Sequence, residues 1–215
     1  MGKNKSIGNT IGYTEKPLYD LVKRIFDLLC SIIGLVILSP IFVIVILAII
    51  IDDFGNPFYV QLRTGKNGKK FKMYKFRSMY KDAEKRRNEL LESNEADGPI
   101  FKIADDPRVT KVGKFIRKTS IDELPQLINI IKGDMSIIGP RPLPVYEQDA
   151  CNDYQQQRLL VIPGLSCYTA LDKKSEEDFD KWIELDMKYI RERSMLTDIK
   201  IIFKTVGVVF KSKNC

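Results

Sequence analysis

The sequence has no histidine, no CxxC pair, no GxGxxG fingerprint and no Walker A loop. The missing histidine excludes the most. Ser-His-Asp and Cys-His nucleophiles, HExxH zinc sites and imidazole general bases all fall away. The four cysteines, Cys30, Cys151, Cys167 and Cys215, stand too far apart for a zinc knuckle or a redox pair, so free thiols in a reducing compartment are expected. Without either glycine-rich loop, a bound nucleotide has to be held by other groups. Internal repeats and low-complexity tracts are lacking too. What remains for chemistry is carboxylates, Lys, Arg, Tyr, Cys and metals held by oxygen.

Of the 215 residues, 44% are hydrophobic and 29% charged, which suffices for one packed domain and excludes general disorder. Lys and Arg number 35 against 28 Asp and Glu, and the net charge of +7 suits a phosphate-bearing partner. Charge alone does not choose among nucleotide, nucleic acid and anionic lipid. No nucleic-acid-binding motif is present, and that role would leave a long apolar run unexplained, so nucleic acid is not expected as a partner.

That run, IFDLLCSIIGLVILSPIFVIVILAIII, occupies residues 25–51 and carries no charge from Ile32 onward. A helix of about 20 such residues spans a bilayer. Two features argue for a different path. Pro40 has no N–H for the Val36 carbonyl, so a break is expected at Ser39-Pro40, and neither piece alone crosses about 30 Å of hydrocarbon. Basic residues also flank both ends, with Lys16, Lys23 and Arg24 before and Arg63, Lys66, Lys69 and Lys70 after. The positive-inside rule then places both ends in the cytoplasm. A helix-break-helix that re-enters one leaflet satisfies both constraints. A kinked spanning helix stays open, as does the core helix of a soluble protein. The C-terminal stretch LTDIKIIFKTVGVVFKSK reads as a basic amphipathic helix at the headgroups of anionic lipids, or as an ordinary surface helix.

Between these segments, FYVQLRTGKNGKKFKMYKFRSM reads as two short strands joined by the turn Gly65-Lys66-Asn67-Gly68. A charged helix is expected from Lys81 to about Glu95, followed by Pro/Gly/Asp-rich loop. A further helix is expected from near Asp122 to Gly133, then a strand over Met135–Ile138 and a helical face with Trp182, Leu185 and Tyr189.

Asp122-Glu123 is the constellation with chemical interest. The plain reading is helix capping, because acidic residues favour a first turn and Ser120-x-x-Glu123 matches a capping box. Against it stand Arg117 and Lys118 just before the pair and Arg141 between two prolines just after. A carboxylate near fixed guanidiniums stays ionised, as a nucleophile must, and Arg forks bind phosphate oxygens. Lys75 and Arg77 can complete a diphosphate cradle, or can simply form a solvated basic face.

The segments MYKFRSM and ADDPRVTKVGKFIRKTSIDELPQLINIIKGDMSIIGPRPLPVYE, with the Pro163-Gly164 step, resemble the bacterial sugar transferases. These are small monotopic phosphoglycosyl transferases that begin glycoconjugate assembly, and the similarity runs from about Leu18 to Val209. It implies an α+β, helix-rich fold: one monotopic membrane domain with a re-entrant helix broken at Ser39-Pro40 and interfacial amphipathic helices. The implied organisation is an N-terminal segment 1–24, a membrane helix 25–51, a catalytic domain 52–195 and an amphipathic segment 196–215. By position, Asp122 is implied as the nucleophile that attacks the sugar-bearing phosphorus of a UDP-sugar. UMP leaves, and polyprenyl (undecaprenyl) phosphate then takes the sugar phosphate. Glu123 completes the dyad, Mg²⁺ at Asp122 and Glu123 is the implied cofactor, and Lys75, Arg117 and Arg141 match positions near the phosphates. Pro163 and Gly164 open a nucleotide-sugar loop. There the chain departs from the family pattern, reading LSCYTALDKKS without its glycines or its Gly-Arg-Asn, and Lys173 and Lys174 are candidate electrostatic substitutes. The sugar and the oligomeric state therefore stay open. The implied location is the cytoplasmic face of the bacterial inner membrane, and the alternative role is a non-catalytic scaffold for glycan assembly.

Overall fold

A computed structural model describes residues 12–172 and 177–211. Lys173 and Lys174 lie outside the described residues. Helix α1 (Pro17–Asp52) opens with proline at its first turn, where the missing N–H costs nothing. Its 36 residues extend about 54 Å at 1.5 Å each. The expected break at Ser39-Pro40 does not divide the element: helical backbone continues through Pro40. The reason lies in the preceding side chain. Pro40 cannot donate to the Val36 carbonyl, and Ser39 Oγ donates to it instead at 2.8 Å.

The buried residues of α1, Asp27, Ser31, Val45 and Ile49, follow a helical spacing and mark one stripe, while Ile33, Val36, Ile37, Ile44 and Leu47 are more than half exposed. The helix is long and apolar enough to cross a membrane, yet the stripe touches the body along its whole length. Near the start, Lys16 Nζ donates to Arg193 O at 2.8 Å and Lys23 pairs with Asp198 at 2.7 Å. Farther on, Asp27 accepts from Ile137 N–H at 3.2 Å, and Leu35 and Leu38 pack with Phe71, Met73 and Ile130. Phe42 meets Phe76 edge to face at 5.0 Å, and Asp52 accepts from Val112 N–H at 3.0 Å.

Strands β1 (Phe58–Thr64) and β2 (Lys70–Phe76) pair antiparallel from Phe58↔Phe76 to Thr64↔Lys70. The turn between them uses Asn67 and Gly68 at positive φ, as its sequence requires. The expected charged helix at 81–95 is instead a 3₁₀ stretch, Lys85–Ser93. Its large apolar residues, Leu90 and Leu91, are adjacent and offer no 3.6-residue stripe that packing can hold. Helix α2 (Lys111–Lys118) is capped by Thr110, whose Oγ1 accepts from Gly113 N–H at 2.9 Å. A Cβ on Gly113 would stand 2.0 Å from Ser78 O, so only glycine lets α2 lie against the chain leaving β2.

The single helix expected from Asp122 to Gly133 is two pieces, a 3₁₀ turn Ile121–Glu123 and helix α3 (Gln126–Lys132). The capping box does not form, because Ser120 sits in the left-handed region at φ 56° and its side chain makes no cap bond, although Asp122 and Glu123 do lie in the first turn. Pro125 precedes α3, and Gly133 closes it at φ 86°. Strand β3 (Ser136–Ile138) pairs in parallel with β4 (Gly164–Ser166). Between them lie α4 (Val145–Asp149) and a 3₁₀ stretch, Gln155–Leu160. Helix α5 (Phe179–Glu192) buries Trp182, Ile183, Met187 and Ile190 against Leu143 and Val161, with Leu185 half-buried. Helix α6 (Met195–Lys211) exposes Leu196, Ile199, Phe203 and Val206 beside Lys200 and Lys204. The whole is α+β and rich in helix, as expected.

Candidate active site

Four segments bring their charges to one place. Strand β2 carries Lys75, the last turn of α2 carries Arg117, the 3₁₀ turn carries Asp122 and Glu123, and the loop after β3 carries Arg141. The left-handed step at Ser120 makes this possible, since it stops α2 and turns the chain so that the acidic pair faces back toward β2. Glu123 Oε1 accepts from Lys75 Nζ at 2.8 Å and from Arg141 Nη2 at 2.5 Å. The second guanidinium nitrogen of Arg141 reaches Glu123 Oε2 at 3.5 Å. Arg117 Nε donates to Ser78 Oγ at 2.9 Å.

Asp122 is 7% exposed and makes no direct ion pair among the described residues. The two carboxyls consequently titrate apart. Burial opposes the Glu123 charge, but Arg141 and Lys75 more than offset it and hold this carboxyl well below the usual range. Burial pushes Asp122 up, aided by the Glu123 charge and only partly opposed by Lys75, Arg117 and Arg141. Burial also lowers Lys75 and Arg117. The expectation that the arginines keep Asp122 firmly ionised is thus met at its neighbour. Glu123 takes the direct cation bonds, and Asp122 is left desolvated with its charge only partly compensated.

Asp122 and Glu123 form no larger acidic group: among the described residues no cluster of three or more metal-ligating side chains exists. Magnesium commonly sits on one or two carboxylates plus substrate phosphates and waters. Asp122 supplies one uncommitted carboxylate for that arrangement, whereas both oxygens of Glu123 face cations. Pro163 and Gly164 pack against the residues just before Arg141. Gly164 N–H donates to Pro140 O at 2.9 Å, and a Cβ on Gly164 would fall 2.0 Å from Gly139 N. Their place in the fold is under the loop that carries Arg141. Ser39 and Pro40 lie in the apolar helix α1.

Sequence reasoning missed several supporting side chains. Arg63 donates to Pro142 O at 2.8 Å, and Arg158 to Arg141 O at 2.6 Å. One signal was present for Arg158. Its partner Asp186 interrupts the otherwise apolar buried face of α5, and a charge on such a face requires a counter-charge.

Residues 18–212 match the family of bacterial sugar transferases, and the chain belongs to that family. It is 46% identical over 190 residues to the galactosyl transferase CpsE of Streptococcus agalactiae serotype III, covering 88% of this chain and 42% of that one. The undecaprenyl-phosphate galactose phosphotransferase of Salmonella typhimurium is 40% identical over 198 residues, covering 88% and 40%. The exopolysaccharide production protein ExoY of Sinorhizobium fredii is 38% identical over 202 residues, covering 92% and 89%. The chain thus spans about two fifths of the first two relatives and nearly all of the third.

Proposed function

We propose that this protein transfers a sugar-1-phosphate from a UDP-sugar to undecaprenyl phosphate through a covalent aspartyl intermediate at Asp122. One observation carries the reading: a buried carboxylate without an ion pair stands beside a second carboxylate gripped by Lys75 and Arg141. A capping residue or a scaffold surface has no use for a buried carboxylate without a direct ion pair, which costs stability. A nucleophile does, because desolvation raises its reactivity while the surrounding cations accept the phosphates.

In the first step an Asp122 carboxylate oxygen attacks the phosphorus that bears the sugar. The anhydride bond breaks, its electron pair leaves with UMP, and an acyl phosphate carrying the sugar remains. In the second step an oxygen of undecaprenyl phosphate attacks the same phosphorus and releases Asp122 as carboxylate. The product is a sugar-diphospho-undecaprenol. Lys75, Arg117 and Arg141 supply positive charge to the diphosphate, and Glu123 holds two of them in place. Mg²⁺, held by Asp122 and phosphate oxygens, would neutralise charge on the departing UMP.

The packing of α1 supports a re-entrant membrane arrangement. Both of its ends and its middle contact one body, which suits a helix dipping into a single leaflet with both termini on the cytoplasmic side. The site then lies at the interface where a lipid phosphate sits, with anionic lipids against the basic α6.

The chemical test follows UMP release from a panel of UDP-sugars, UDP-galactose included, with undecaprenyl phosphate and Mg²⁺. One sugar should support turnover and, without the lipid, leave label bound to the protein. Asp122→Asn should abolish both, and full turnover in that variant would exclude the covalent role. For topology, cysteines placed before Ile25 and after Asp53 should both label from the cytoplasmic side only. Labelling on opposite sides would show that α1 crosses.

A further inference from the structure

Arg141 lies in a segment with no regular structure and little capacity to hold itself. Pro140 and Pro142 on either side contribute no N–H donors. Four successive carbonyls are captured from outside instead. Gly164 N–H holds Pro140 O at 2.9 Å, Arg158 Nη2 holds Arg141 O at 2.6 Å, Arg63 Nη1 holds Pro142 O at 2.8 Å, and Thr64 N–H holds Leu143 O at 3.1 Å. The tether at Arg141 differs from the rest. The same Arg158 Nη2 pairs with Asp186 Oδ2 at 2.6 Å, and both side chains are 2% exposed.

A buried ion pair is a poor way to fill space, and an apolar pair of equal volume often stabilises a core better. This one is also incomplete, because Arg158 Nε and Nη1 have no hydrogen-bond partner among the described residues. Around it, α5 offers Trp182, Ile183, Met187 and Ile190, so apolar packing was available. What the pair provides, and an apolar pair cannot, is a donor fixed beneath the Arg141 carbonyl.

We propose that Arg158, oriented by Asp186, is a positioning residue that holds the Arg141 backbone so that its guanidinium stays aimed at Glu123 and the substrate diphosphate. The inference rests on the reading that Arg141 serves the diphosphate. Arg158 touches no reacting atom; it acts through Arg141. A loosened carbonyl lets the Arg141 fork drift from its 2.5 Å contact with Glu123. Misplacement of a positioning group by about 1 Å can cost on the order of 100-fold in rate.

The test is a double-mutant cycle on the full chain in micelles, measuring kcat and KM for the UDP-sugar by UMP release. Arg141→Ala alone should lower kcat/KM strongly. Arg158→Lys retains the charge but lacks the fork, and should lower kcat/KM by roughly tenfold to 100-fold, with KM rising. In the Arg141→Ala background the same substitution should change kcat/KM less than about twofold, because its effect has no remaining route. Asp186→Asn should repeat the pattern more weakly. If Arg158→Lys melts below the assay temperature, Asp186→Asn and the packed double variant Arg158→Met/Asp186→Leu complete the cycle. A loss at Arg141 with Arg158→Lys either silent or fully additive overturns this inference alone. Full activity in Arg141→Ala overturns the diphosphate role of Arg141 and this inference together.

Discussion

Asp122 and Glu123 are adjacent in the chain and opposite in charge economy. Glu123, with its folded pKa depressed, contributes stability that is present above its unfolded value and lost as the pH falls. Asp122, with its folded pKa raised, binds its proton more tightly when folded, so its ionisation costs stability as the pH rises past the ordinary carboxylate range. Asp122→Asn should therefore melt at a higher temperature than the parent near neutral pH. The gap should close on acidification, while turnover drops about a thousandfold or more. A melting temperature unchanged across pH would show that Asp122 is solvated. Glu123→Gln should do the reverse, since it leaves Lys75, only 16% exposed, without its counter-charge. A loss of up to about 3 kcal/mol is expected, measured by denaturant unfolding in micelles, just under the figure for fully buried pairs. Neither charge state was legible in the sequence. Local charge density around residues 117–123 was visible there, but burial and the pairing of Glu123 with Lys75 and Arg141 were not, and together these move the two carboxyls in opposite directions.

At the scale of elements, α1 shows how a proline is carried inside a continuous helix. The Val36 carbonyl loses its backbone donor to Pro40 and regains one from Ser39 Oγ. Ser39→Ala should therefore cost about 1–3 kcal/mol, the price of one unsatisfied carbonyl in apolar surroundings. In a Pro40→Ala background residue 40 has an N–H for Val36, so the same substitution should cost almost nothing. Thermal unfolding of the four variants in one detergent reads this coupling, and equal costs in both backgrounds would refute it. The sequence showed the proline but not its compensation, because the serine bond depends on a side-chain rotamer. It did show the β1–β2 hairpin, where Gly65, Asn67 and Gly68 mark a turn between apolar runs. It misled at 81–95, where helix-favouring residues lack a packing stripe, and at 121–132, where Pro125 and the left-handed Ser120 split one expected helix. The Arg158–Asp186 pair escaped because nothing local links two residues that meet only after α5 folds back.

Across the whole molecule, the long apolar helix α1 and the Arg141 loop are joined through one buried carboxylate. Asp198 on α6 is 1% exposed and accepts from Lys23 Nζ at 2.7 Å, Tyr19 O–H at 2.8 Å and Tyr189 O–H at 2.9 Å. Tyr189 O–H also lies 3.1 Å from the carbonyl of Ile138, just before Gly139-Pro140-Arg141. The first turns of α1, the helices α5 and α6 and strand β3 thus share a single polar knot, ringed by the apolar contacts of Ile138, Tyr189 and Ile201. Removing its acceptor should release the start of α1 before the rest of the fold, because farther along the helix is held by Phe42, Val45 and Ile49. Asp198→Ala deprives the part-buried Lys23 and the hydroxyls of Tyr19 and Tyr189 of their shared acceptor, a loss of about 3 kcal/mol, which raises local opening roughly 100-fold. Trypsin should then cut after Lys23 or Arg24 about 100 times faster in micelles, while cleavage elsewhere stays near the parent rate. Uniform acceleration at all sites would mean that Asp198 supports the global fold and not this anchor, and unchanged cleavage would mean that the apolar stripe holds α1 by itself.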